Sequence, residues 1–252
     1  MVLKTKGVIL KQRPIGEQDK IVTILSDELG IIEASARRIK SAKSKLSASL
    51  QPQSYCEFTL YQGRGHYIVN AAYVIDSFYN IRLDLVKVAL ASYFCDLMCF
   101  INPADDGIAP CKKLLLNSLY FLAKGEKQHS LLKSVYELRL LSISGFMPDL
   151  VACRCCASYE KEEMYFYPVD GYLLCSDCKR EGETSVKVRV TPAVLAAMRH
   201  IVYSAPEKIF YFQLAEKSLK SLSEISEYYT LCQVDRSFPS LEMYHSILSE
   251  VR

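Results

Sequence analysis

Cys153-Arg-Cys-Cys156 and Cys175-Ser-Asp-Cys178 are two Cys-x-x-Cys pairs, separated by the eighteen residues 157–174. Two such pairs at this spacing are typical of two short turns that close on one tetrahedral zinc ion, because each turn supplies two thiolate ligands. The stretch between the pairs predicts a hairpin with Asp170-Gly171 at its turn, as in a zinc ribbon. The pattern therefore predicts one structural Zn²⁺ held by Cys153, Cys156, Cys175 and Cys178.

Other uses of these thiols are weaker interpretations. A catalytic zinc needs an open coordination position and usually histidine or carboxylate ligands, and a redox dithiol needs one pair and leaves the second unexplained. Cys155 lies inside the first pair and could replace a neighbour, although the two-residue spacing favours Cys153 and Cys156. The other five cysteines lie among apolar residues and are expected to be buried.

Composition places the chain among folded proteins of a reducing compartment. Of its 252 residues, 50% are hydrophobic and 23% charged, which excludes global disorder. No signal segment opens the sequence, and the longest apolar stretch, 88–101, is shorter than a membrane span and is interrupted by Asp96. We expect a protein of the bacterial cytoplasm, associated with the nucleoid and not with a membrane.

Residues 1–80 are predicted to form five short strands rich in β-branched and aromatic residues: 2–10, 20–26, 31–36, 54–62 and 66–74. The segments 27–30 and 63–65 contain glycine and suit hairpin turns. Five strands in this length predict a small closed barrel such as an OB-fold, with an SH3-like barrel as the alternative.

After residue 80 the pattern becomes helical. Helices are predicted over 81–101, 111–124, 130–144, 208–231 and 240–251, and Thr191-Pro192 is a helix start. The expected fold is therefore α+β and multidomain. An OB-fold barrel (1–80) precedes an α-helical domain (81–150 and 186–252), into which a zinc-ribbon-like segment (151–185) is inserted.

Positive charge is concentrated in the predicted barrel. Residues 1–80 hold 11 basic and 7 acidic groups, a net charge of +4, whereas residues 151–185 hold 4 and 7, a net charge of −3. A basic run at 37–45 carries five positive charges and no acid. A solvated loop is the simplest interpretation of this run, but the position of the run between two barrel strands favours nucleic-acid binding. The candidate DNA contacts are Lys11, Arg13, Arg37, Arg38, Lys40, Lys43, Lys45 and Arg64, with Tyr61 or Tyr67 as stacking platforms.

Catalytic patterns are absent from the sequence. The four histidines are scattered, and there is no phosphate-binding glycine loop, no G-x-S-x-G elbow and no H-E-x-x-H zinc motif. We expect no enzymatic activity.

Several segments resemble the bacterial RecO family of recombination mediators. The resemblance lies in Gly16-Glu-Gln-Asp-Lys-Ile-Val-Thr23, Lys43-Ser-Lys-Leu46 with Leu50-Gln-Pro52, Tyr136-Glu-Leu-Arg-Leu-Leu141, Gly145-Phe-Met-Pro-Asp-Leu150, and Gly171-Tyr-Leu-Leu-Cys175. One departure falls in the basic run, where Arg37-Arg38 stands in place of the family's Lys-Gly pair.

The resemblance implies a non-enzymatic protein of DNA repair. Such a protein binds single- and double-stranded DNA and anneals complementary strands. It acts with RecR and with the C-terminal tail of the single-stranded-DNA-binding protein, and helps to load RecA. The alternatives are a zinc-stabilised protein–protein adaptor with incidental DNA contact and, less favoured, a thiol–disulfide enzyme built on Cys153 and Cys156.

Overall fold

A computed structural model describes residues 1–37, 39, 46–63, 65–179 and 186–250. Internal contacts divide the chain into two compact units. The first comprises Met1–Glu126 with Phe238–Arg252, and the second Lys127–Ser237. The helices are therefore shared between the units, whereas the sequence-based domain boundaries at 80, 150 and 185 stay a prediction.

The N-terminal part of the first unit is a closed barrel of five strands: β1 (Val2–Ile15), β2 (Asp19–Ser26), β3 (Gly30–Ala36), β4 (Tyr55–Gln62) and β5 (Tyr67–Asp76). The strand order around the barrel is β1-β2-β3-β5-β4, with β3 and β5 parallel and the other neighbours antiparallel. This Greek-key order is that of the OB-fold, as predicted.

The barrel closes over an apolar core drawn from alternate positions of each strand, because successive side chains of a strand point to opposite faces. Val22 and Ile24 of β2 belong to one buried cluster with Phe58 and Leu60 of β4. Gly7 is needed where β1 pairs with the end of β2, since an added Cβ would lie 2.6 Å from Ile24 Cγ2. The core thus follows directly from the strand patterns in the sequence.

β1 is longer than the sequence pattern predicted. It continues past Leu10 to Ile15, because Pro14 and Ile15 pair with the first residues of β2 in the hairpin. Lys11 and Arg13 consequently lie within a paired strand, and the register shifts at a bulge between Ile9 and Lys11.

Five helices complete the first unit: the short α1 (Leu46–Ser49), a 3-10 turn (Tyr79–Leu83), α2 (Leu85–Ile101), α3 (Asp105–Lys124) and α7 (Pro239–Glu250). α2 begins later than predicted, because the Asp84 carboxylate accepts the amides of Val86 and Lys87 and caps the helix there. α3 begins six residues earlier than predicted. Its first turn lacks the apolar stripe by which the sequence pattern identifies a helix.

The second unit packs three helices with a small sheet. Its elements are α4 (His129–Ile143), β6 (Asp149–Cys153), β7 (Met164–Tyr167), β8 (Tyr172–Cys175), β9 (Val188–Val190), α5 (Pro192–Tyr203) and α6 (Glu216–Val234). The sheet order is β6-β8-β7-β9. Thr191 caps α5 as predicted. α6 starts at Glu216 and not near Lys208, since the preceding residues form turns in which Lys208 and Tyr211 amides bond carbonyls three residues back.

Among the described residues, no helix combines the length and apolar character needed to cross a bilayer.

Candidate functional site

The four cysteines of the two pairs are brought together by the sheet of the second unit. Cys153 ends β6 and Cys175 ends β8, and these two strands are neighbours. The chain turns directly after each strand and carries Cys156 and Cys178 back toward the strand ends. The four Sγ atoms all lie within 4.8 Å of one another.

Backbone hydrogen bonds fix both turns. The Ala157 amide donates to the Cys153 carbonyl at 2.8 Å, and the Lys179 amide donates to the Cys175 carbonyl at 3.0 Å. The amide of Cys175 also points at Cys153 Sγ, at 3.3 Å. Amides directed at sulfur stabilise thiolate, which is the form of cysteine that binds a metal.

The thiols differ in their pKa values because of their neighbours. Hydrogen bonds from the side chain and the backbone of Ser158 lower the pKa of Cys156 to about 6. The pKa of Cys178 is raised, chiefly by hydrogen bonds to the adjacent sulfurs of Cys156 and Cys175. Burial raises the pKa of Cys175. Four sulfurs this close cannot all ionise in water without a compensating charge, so a cation at their centre is needed for the four-thiolate state.

The cluster fits a tetrahedral metal ion. Ligands at about 2.3 Å from zinc stand about 3.8 Å from one another in a tetrahedron. The sulfurs of Cys156 and Cys175 are 3.6 Å apart, and the whole set spans no more than 4.8 Å. The arrangement can therefore hold one metal ion with no open position for a substrate. Cys155, between the first pair, is exposed.

Arg199 of α5 supports the first cysteine turn, and the sequence pattern did not single it out. Its guanidinium donates to the carbonyls of Leu150 at 2.7 Å, Val151 at 3.0 Å and Tyr159 at 2.7 Å, and it stacks on the Tyr159 ring at 4.0 Å. These contacts tie both ends of the segment around Cys153 and Cys156 to one helix. An arginine within the apolar run of α5 was the one available signal.

Two of the predicted DNA contacts are engaged in ion pairs. Lys11 Nζ lies 2.8 Å from Asp96 Oδ1 of α2, and Arg13 lies 3.0 Å from Glu33 of β3. Burial lowers the pKa of Lys11, but the hydrogen bond and charge of Asp96 outweigh it, so that this pKa lies above its ordinary value. A phosphate that binds either cation would compete with the carboxylate that already lies beside it.

The basic run begins at the end of β3. Arg37 is exposed there, while Ile39, two residues later, is 1% exposed and belongs to the barrel core. Beyond the run, Leu46 and Leu50 also pack against that core. The described residues that flank Lys40, Lys43 and Lys45 in the sequence therefore pack against the barrel core. Arg38, Lys40, Lys43, Lys45 and Arg64 lie outside the described residues.

The two proposed stacking tyrosines do not share a face. Tyr61 of β4 is exposed beside Val2 at the start of β1, nine residues from Lys11. Tyr67 of β5 packs against the barrel core instead. A stacking role for either ring stays a prediction.

Comparisons with known proteins cover almost the whole chain. The family model described as recombination protein O N terminal matches residues 1–78, and the model described as recombination protein O C terminal matches residues 82–242. A protein of Acetivibrio thermocellus named DNA repair protein RecO is 32% identical over 245 residues, 97% of each chain. A protein of the same name from Alkaliphilus metalliredigens is 29% identical over 248 residues, 98% of this chain and 100% of its own. Because these matches include the barrel, the helices and the cysteine segment together, the chain belongs to the RecO family.

Proposed function

We propose that this protein is a non-enzymatic mediator of recombination in DNA repair, which binds single- and double-stranded DNA and anneals complementary strands. The observation that carries the proposal is its similarity, along nearly the full length, to proteins named DNA repair protein RecO. Annealing requires a surface that neutralises two phosphate backbones and leaves the bases free to pair. No catalytic group is needed for it.

The barrel supports this proposal by its fold and its charge. OB-folds bind single strands in grooves that combine cations with aromatic rings. The basic run follows β3 at Arg37, and Ile39 holds its start against the core. Cations whose neighbours in the sequence are fixed against a core lose less conformational entropy on binding than cations on a free tail.

The proposal gives most of the electrostatic binding to the basic run. Lys11 and Arg13 already form ion pairs with Asp96 and Glu33. Their contribution to DNA binding is therefore only the difference in free energy between a phosphate partner and a carboxylate partner. Arg37 is exposed, and the cations that follow it in the sequence belong to the same run.

We infer the partners from the same family relation. The protein would act with RecR, contact the C-terminal tail of the single-stranded-DNA-binding protein, and help to load RecA on strands coated by that protein. The cysteine cluster would hold one structural Zn²⁺, supported by its four sulfur ligands and closed geometry. A bound zinc ion contributes folding free energy to the second unit.

Charge reversal in the basic run tests the proposal. A variant with glutamate at Arg37, Arg38 and Lys40 is titrated with a labelled oligonucleotide over a series of salt concentrations. Each lost phosphate contact on a single strand reduces the log–log salt slope by about 0.7, so three contacts reduce it by about 2. Binding equal to that of the parent would overturn the site assignment.

The matched control reverses three exposed lysines of the second unit: Lys208, Lys217 and Lys220. It changes the net charge by the same amount, so a general charge effect would appear in both variants. We expect the control to keep the salt slope of the parent. Failure of the parent itself to bind oligonucleotides would overturn the proposed function as a whole.

A further inference from the structure

A cleft in the first unit lies outside both the basic run and the cysteine cluster. It has a volume of about 280 Å³ and forms between the segment that follows β5 and the last turns of α3. The lining residues are Asp76, Ser77, Phe78, Tyr79, Asn80, Tyr120, Ala123 and Lys124.

The wall formed by the segment after β5 is held in a strained conformation. Phe78 adopts φ 44° and ψ 44°, the left-handed region, which is unfavourable for a bulky residue. Its amide donates to Asp76 Oδ1 at 2.8 Å, and its side chain is buried. The buried ring and the Asp76 bond keep the turn in place and leave the next side chain, Tyr79, 62% exposed. Strain of this kind is retained where surrounding contacts enforce it, often at binding sites.

The opposite wall carries a second exposed ring and a cation. Tyr120 of α3 is 46% exposed, and the Lys124 ammonium lies 5.6 Å from its ring centroid, one helical turn later. An ammonium on an aromatic ring sits where it can also meet an anionic group of a ligand on that ring. Two aromatic faces and one cation thus line a single cleft.

The lining chemistry favours a planar aromatic ligand with polar edges. Among the described residues that line the cleft, the apolar surface comes from aromatic rings and the methyl group of Ala123, with no leucine, isoleucine or valine. An aliphatic side chain of a partner protein would therefore find no aliphatic side chain in this lining to pack against. Asp76 and Asn80 offer a carboxylate and an amide, which suit the donors and acceptors of a base edge.

We propose that this cleft takes an unstacked nucleobase of a single DNA strand, which packs against both Tyr79 and Tyr120, with the adjoining phosphate on Lys124. The volume of about 280 Å³ lies just below the range of pockets for larger organic ligands and suits a single nucleotide unit. The inference rests on the proposed function, because it adds a stacking site to the electrostatic one. Bases held apart in this way remain single and available to a complementary strand.

Stacking and charge can be separated by their salt dependence. Tyr79→Ala and Tyr120→Ala are each titrated with fluorescein-labelled oligo-dT over a series of salt concentrations. Each substitution should weaken binding about tenfold at every salt concentration, because a ring contributes stacking but releases no counterion. The log–log lines of parent and variants should therefore be parallel.

Three variants serve as controls. Tyr79→Phe and Tyr120→Phe keep the ring and should bind as the parent does. Tyr211→Ala removes a tyrosine of the second unit that is 63% exposed, close to the 62% of Tyr79, and should leave binding unchanged. A loss in Tyr211→Ala equal to that in the cleft variants would overturn the proposal, since the effect would then not be specific to the cleft.

A second readout reports directly on the base. A single 2-aminopurine within oligo-dT loses fluorescence when it stacks on an aromatic ring, so binding to the parent should quench it and binding to the two alanine variants should quench it less. Unchanged affinity and unchanged quenching in both alanine variants would overturn the cleft proposal. Binding of the oligonucleotide by the parent would still support the proposed function in that case. This is the result expected if the cleft binds a protein segment and not a base. A parent that binds no oligonucleotide would overturn both.

Discussion

Replacing Lys133 by methionine is expected to destabilise the second unit by about 3–5 kcal/mol. The Lys133 ammonium of α4 is 1% exposed and lies 3.2 Å from both carboxylate oxygens of Glu137, which is fully buried. It also lies 2.9 Å from Glu227 Oε2 and 3.0 Å from the Ser223 carbonyl, both on α6. Methionine fills a similar volume but leaves the Glu137 carboxylate without this cation.

The size of the expected loss of stability follows from the burial of the Lys133–Glu137 ion pair, and not from the presence of an ion pair as such. Lys220 and Glu224 of α6 form another pair four residues apart, but their side chains are 69% and 65% exposed and the closest atoms are 3.9 Å apart. Such a pair contributes about 0–0.5 kcal/mol, so Lys220→Met is the matched control and should be nearly neutral. Since a domain is stable by only about 5–15 kcal/mol, the buried substitution removes a large fraction of the stability.

Urea unfolding followed by far-ultraviolet circular dichroism measures the difference. The double variant Lys133→Met/Glu137→Leu should lose less than the sum of the two single variants, because it removes the buried carboxylate together with the cation that lies against it. A loss below about 1 kcal/mol for Lys133→Met, or strict additivity in the double variant, would refute the reasoning.

Three further outcomes are expected. Cys175→Ser should lose bound metal on dialysis, whereas Cys155→Ser should retain it. Metal analysis of the two dialysed variants measures this difference, and equal retention would contradict the proposed ligand set. In chelator-stripped protein, alkylation of Cys156 by iodoacetamide should rise with a midpoint near pH 6, because its pKa is about 6; a midpoint near the ordinary cysteine value would contradict this. The same lowered pKa means that ionised Cys156 favours the folded state at higher pH and loses that effect as pH falls through about 6. Asp96→Asn should free Lys11 for phosphate and make the log–log salt slope for single strands steeper by about 0.7, and an unchanged slope would exclude Lys11 as a contact.

The barrel and the cysteine cluster could be predicted because both depend on local patterns. Alternating apolar residues and glycine turns specify the strands, and the spacing of Cys153, Cys156, Cys175 and Cys178 reflects two turns of fixed length. The bounds of β1 and α2 were less predictable. They depend on hairpin pairing beyond Leu10 and on a cap whose acceptor was not evident.

Contacts between distant segments could not be predicted. Lys11 and Asp96 are far apart in the chain, and only the packing of α2 on the barrel brings them together. The same holds for Arg199, whose carbonyl partners lie 40 to 49 residues away. A charge count treats Lys11 and Arg37 alike, whereas the structure shows that one is already paired and the other is exposed.

Annealing of complementary oligonucleotides tests the central claim most directly. The protein is added to two labelled complementary strands, with and without single-stranded-DNA-binding protein, and duplex formation is followed with time. The proposal predicts faster annealing than the strands show alone, retained on coated strands and abolished by glutamate at Arg37, Arg38 and Lys40. Annealing at the unassisted rate in both conditions would contradict it.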